Sequence, residues 1–228
     1  MKGKVVSRLK KYVSCIMAMF LVVVSCNNVW AVDSSGRAVG TIFMDADGFF
    51  RYRIIDEENK YVGVAGAIIN DDFLGKPLNI PAEIEYNGIT YSVTSIQNSA
   101  FKSYSRISEV NIPYGVTEIR SEAFEGSSIS YVNIPNSVTI IGGSAFADCT
   151  NLQNVEIPES VEEIGAQAFS GCSSFTKIII PEGVKKIDMY AFYDCKLVDT
   201  ISLPTSIETM ETYAFASCGN DVDELSVM

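Results

Sequence analysis

The residue types that most often do chemistry are sparse in this sequence, and those present fall into a regular beat. Histidine is absent. That removes the usual general base near neutral pH, the commonest transition-metal ligand, and both Ser-His and Cys-His nucleophile pairs. Four of the six cysteines, Cys149, Cys172, Cys195 and Cys218, are spaced by 23 residues. Four thiols invite a metal or disulfide reading. Side chains stacked one per repeat do not converge on a tetrahedron, however, and thiols pointing the same way are poorly set for bonding to one another. The expectation is four reduced, buried thiols, each filling a small position in a repeated turn.

Two acidic groupings have the right residue types for other chemistry. Asp45-Ala46-Asp47-Gly48 resembles the start of a calcium loop, but Phe49 takes the next ligand position and no Glu stands at the twelfth. A turn before a strand at Phe49 accounts for it better. Glu57-Glu58 and Glu162-Glu163 have the residue types of glycosidase carboxylates, but Glu162-Glu163 falls on a repeated arm expected to face solvent. No catalytic residue, metal site or cofactor is therefore assigned, and the chain is expected not to be an enzyme.

The formal net charge is −11. Lys2, Lys4, Arg8, Lys10 and Lys11 precede the first acid, Asp33, and without them 12 basic residues stand against 28 acidic ones, a net of −16. Such a field repels phosphate backbones and anionic lipid, so neither nucleic acid binding nor membrane insertion of the mature domain is expected. The early basic run precedes an apolar core from Val13 to Ser25, the layout of an export signal and short for a membrane span. Val29-Trp30-Ala31 favours cleavage after Ala31, with a signal over residues 1–31. The competing reading is a lipobox at Val23-Val24-Ser25-Cys26, a signal over residues 1–25 and acylation of Cys26.

The elements that would position any site are set by a repeat. Ala-Phe recurs with Phe at 101, 124, 146, 169, 192 and 215, at intervals of 23, 22, 23, 23 and 23. An apolar-Pro pair keeps phase with it, at Ile80-Pro81, Ile112-Pro113, Ile134-Pro135, Ile157-Pro158, Ile180-Pro181 and Leu203-Pro204. Coincident markers at one period indicate stacked supersecondary units that bury side chains only together. Alternation places Val110, Val132, Val155, Ile178, Ile201 and Leu225 in one inward column, with Val138 and Ile141 as a second ridge on the returning arm and the Phe residues as a central ladder.

The phrase running from Ile134 to Val155, Ile-Pro-x-Ser-Val-x-x-Ile-Gly-x-x-Ala-Phe-x-x-Cys-x-x-Leu-x-x-Val, resembles the BspA-type leucine-rich repeat of bacterial surface proteins. The span from Ile157 to Ile178 matches nearly as well, and the copies starting at Ile112, Ile180 and Leu203 match with lapses. The first unit departs, with the insertion Glu85 to Tyr91. The fold expected is a β-rich leucine-rich-repeat solenoid of about six repeats of about 23 residues, over 96–228, with a β-rich N-terminal cap and first-repeat entry over 41–95 and a flexible leader at 32–40. In the cap region, Phe49–Ile55 and Tyr61–Ile69 should be strands and Asn87-Gly88 a hairpin turn.

On the expected strand face, residues alternating with the inward column are displayed: Glu109 and Asn111, Tyr131 and Asn133, Asn154 and Glu156, Lys177 and Ile179, Thr200 and Ser202. The resemblance implies an exported or cell-surface, non-enzymatic recognition or adhesion module that binds an extracellular protein or glycan, and this array is the candidate face. The alternative is a structural subunit of a surface assembly, self-associating weakly through a C-terminal end with no recognisable cap.

Overall fold

The structure, a computed structural model, describes residues 31–32, 38–69, 76–219 and 226–227. The chain divides into two compact units, Met1–Thr41 and Ile42–Met228. In the first, β1 (Ala31–Val32) pairs antiparallel with β2 (Ala38–Val39), so the stretch expected to be a leader contains a paired strand. The export signal and its Cys26 alternative lie outside the described residues.

The second unit opens with an antiparallel meander: β3 (Ile42–Met44), β4 (Phe50–Asp56) and β5 (Tyr61–Ala67). Its core face is aromatic, with Phe43, Phe50 and Tyr52 buried together. After β6 (Leu78–Asn79), β7 (Glu83–Tyr86) and β8 (Ile89–Ile96) form a hairpin in which Tyr86 faces Ile89 across Asn87-Gly88. Both turn residues have positive φ, 52° and 75°, as a two-residue hairpin loop requires. β8 then pairs parallel with β5, and its last two residues are the first rung of the solenoid.

From here the chain alternates between two short strands per coil. β9 (Glu109–Asn111) and β10 (Glu118–Ile119) belong to one coil, β11 (Tyr131–Asn133) and β12 (Ile140–Ile141) to the next. The following coil has only β13 (Glu163–Ile164). β14 (Lys177–Ile179) with β15 (Lys186–Ile187), β16 (Thr200–Leu203) with β17 (Thr209–Met210), and β18 (Ser226–Val227) complete the order. No α-helix occurs among the described residues, and none is long and apolar enough to cross a membrane.

The continuous sheet runs through the returning arm, β8-β10-β12-β13-β15-β17, and it is joined at β8 to the meander. Ile96, Ile119, Ile141, Ile164 and Ile187 stack inward along it and are fully buried. From Ile119 on, the residue after each donates its N–H to the carbonyl of the preceding coil's isoleucine, as Gly142 does to Ile119 at 2.7 Å and Gly165 to Ile141 at 2.8 Å. A Cβ on Gly165 would come within 2.7 Å of the Gly143 backbone, so these coils approach too closely for any larger residue.

The Ala-Phe corner runs the other way. Phe101, Phe124, Phe146, Phe169 and Phe192 donate their N–H groups forward to the alanine carbonyl of the next coil, at 2.7–2.8 Å. Residues two before and two after each Phe hold φ between 55° and 71°, so every corner contains two left-handed positions. Most are not glycine and each costs about 1 kcal/mol. Inter-coil hydrogen bonds and the phenylalanine spine offset that cost: successive rings from Phe101 to Phe215 stack at 5.2 Å and within 12° of parallel.

Candidate binding surface

The strand column expected to be continuous is broken. β6, β9 and β11 form one three-stranded parallel sheet and β14, β16 and β18 another, with no strand between them. Val155, expected inward with Val132 and Ile178, is only partly buried. The cause is a side chain that replaces the backbone ladder. The carboxamide oxygen of Asn154 accepts from the Lys177 N–H at 3.3 Å and from the Thr176 hydroxyl at 3.5 Å. The break also follows the one interval of 22: one residue separates the corner Ser127 from Ile129, but two separate Cys149 from Leu152.

The expected face is thereby split into two patches. On the first, Tyr131 lies beside Glu109, while Asn133, Asn111 and Asn79 fall in one row. Asn111 donates to the Asn79 side-chain oxygen at 2.8 Å and to Glu109 at 3.4 Å. On the second, Lys177 is beside Thr200 and Ile179 beside Ser202. Tyr131 and Ile179 are large side chains that stand 52% and 50% exposed. Ser202, paired with Ile179 on one side and with β18 on the other, is buried and leaves the displayed set. Asn154 and Glu156 lie off any strand, between the patches.

The cysteine column has a positive structural account. Each thiol is buried and donates to the carbonyl of the Phe one coil earlier: Cys149 to Phe124 at 3.1 Å, Cys172 to Phe146 at 3.2 Å, Cys195 to Phe169 at 3.3 Å and Cys218 to Phe192 at 2.9 Å. All four are free thiols. Burial pushes the Cys149 thiol up to about 11 and Cys172 well above its ordinary value. Such groups are poor nucleophiles. Among the described residues no three His, Cys, Asp or Glu side chains gather where a metal ion could sit.

The acidic groupings are also accounted for. Asp45 turns its carboxylate onto the N–H groups of Phe49 at 2.7 Å and Phe50 at 3.1 Å, closing the β3–β4 turn. Glu162 and Glu163 pair with Lys185 and Lys186 of the next coil, each at 2.9 Å. What the repeat pattern missed is aromatic. Tyr190 stacks on Tyr213 at 5.4 Å with Tyr193 edge-on, and Tyr114 stands 77% exposed. The signal was available: the residue after each repeat proline is Ala82, Tyr114, Asn136, Glu159, Glu182 and Thr205, and only Tyr114 is aromatic.

A profile of the BspA type leucine rich repeat region matches in six copies, over residues 81–173 and 117–226. The chain belongs to that family. Among solved structures, this BspA-type chain is similar to a leucine-rich repeat protein from Bacteroides ovatus, with 36% identity and a TM-score of 0.67 over 75% of this chain and 44% of that one. It is similar also to a leucine rich cell surface protein from Faecalibacterium prausnitzii, with 30% identity and a TM-score of 0.68 over 78% and 46% of the two chains. The leucine rich repeat protein of Treponema pallidum shares the fold, at 22% identity and a TM-score of 0.62, over 81% and 86%. The chain spans less than half the length of the first two. No curated protein matches.

Proposed function

We infer that this BspA-type chain is an exported, non-enzymatic recognition module that holds an extracellular protein or glycan against the outward residues of its short parallel strands. The observation that carries this is the pair of patches centred on Tyr131 and Ile179, large side chains left half exposed on the strand face. The family and the cell-surface description of the F. prausnitzii protein support an exterior location. Beads coated with residues 32–228 are expected to attach to epithelial or bacterial cell layers. Substituting Tyr131, Glu156 and Lys177 together by alanine should cut attachment several-fold without changing the circular dichroism. Unchanged attachment would remove the strand face from consideration.

A further inference from the structure

An open cleft of about 590 Å³ lies where the β7–β8 hairpin meets the first coil, away from the strand face. That volume is within the range of small-molecule sites. Its floor is one row across the sheet: Tyr61, Ser92 and Glu83 are in register on β5, β8 and β7. Thr94, two residues beyond Ser92, shares that face by strand alternation, and Thr117 of the next coil continues the lining. Tyr114 overhangs from the loop after Pro113. Tyr61 is 41% exposed and Tyr114 77% exposed, so neither ring is held by the core.

The chemistry of this lining is selective. It offers two phenol rings, three aliphatic hydroxyls and one carboxylate, and among the described residues no lysine or arginine. A sugar ring presents an apolar C–H face that packs on an aromatic ring and a rim of hydroxyls that donate to carboxylate and hydroxyl oxygens. Lacking a cation, and with Glu83 on its floor, the cleft disfavours sulfated, phosphorylated or sialylated ligands. We propose that this cleft is a binding site for a neutral oligosaccharide, with Tyr61 and Tyr114 as the stacking groups and Glu83, Ser92 and Thr94 as its hydroxyl partners. The site is independent of the strand face and requires neither patch to be functional.

The test is a glycan array carrying neutral hexose and N-acetylhexosamine oligosaccharides beside sulfated and sialylated ones, probed with residues 32–228. Binding is expected to one or more neutral glycans and to none of the charged ones. Tyr114→Ala, a change at an exposed loop position, should weaken that binding roughly tenfold or more. Tyr114→Phe should retain it, because the ring is kept. Leu197→Ala, a change at an exposed residue outside both the cleft and the strand face, should leave it unchanged. No neutral glycan bound, retention by Tyr114→Ala, or equal loss on Leu197→Ala would each overturn the proposal.

Discussion

Cys149 shows how a residue with reactive chemistry becomes part of a wall. It is fully buried and its proton is committed to the Phe124 carbonyl. Because burial raises its folded-state pKa above the unfolded value, the thiol contributes stability below about pH 9 that is lost as pH rises toward 11. A shift of that size corresponds to about 2–3 kcal/mol at the alkaline end. Thermal melts between pH 8 and 11 should therefore show a falling midpoint, and Cys149→Ala should fall less steeply despite starting lower; an identical slope would show that Cys149 takes no part. The period alone made the four cysteines legible as buried repeats, because equivalent residues must share an environment. It could not reveal that Val155 would be half-buried, since that depends on where the Asn154 side chain finds its hydrogen bonds. Nor could it reveal that Ser202 would be buried, since the alternation that exposes Thr200 gave Ser202 the same outward position.

At the scale of elements, the β7–β8 hairpin was legible because Asn87-Gly88 supplies the two positive φ angles its loop needs. Gly88→Val should destabilise the domain by about 1–2 kcal/mol, read from urea unfolding of residues 32–228, because a β-branched residue is strained at that angle. No change would mean the turn relaxes into another type. The position of the main sheet was not legible. Its strands are two residues long, and so short a run carries no alternation to distinguish it from the opposite column. Hydrogen bonding decides the matter: on the returning arm the coils close to backbone contact, as Gly165 shows against Gly143, whereas the other column opens at Asn154. The candidate face was read as one array on a continuous column, whereas the structure spreads its residues over two patches, with Asn154 and Glu156 off any strand and Ser202 buried. The tyrosine-lined cleft went unseen because part of its floor, Tyr61, comes from a strand that precedes the repeats.

For the whole molecule, the phenylalanine spine and the returning-arm sheet both cross the coil at which the strand column breaks. The two halves therefore share one core, and the domain should unfold in a single transition, as repeat stacks do when their interfaces are strong. Circular dichroism and tyrosine fluorescence are expected to give one midpoint in urea; two separate midpoints would show that the break divides the fold. The spine has a further consequence. Ring-to-ring spacing is the same 5.2 Å at each step from Phe101 to Phe215, so no rung is chemically marked as first, third or last. A gene of this kind can gain or lose one repeat's worth of codons by unequal recombination and still encode an interior that fits. Length becomes a trait that can vary between strains while the surface presented by each coil drifts separately.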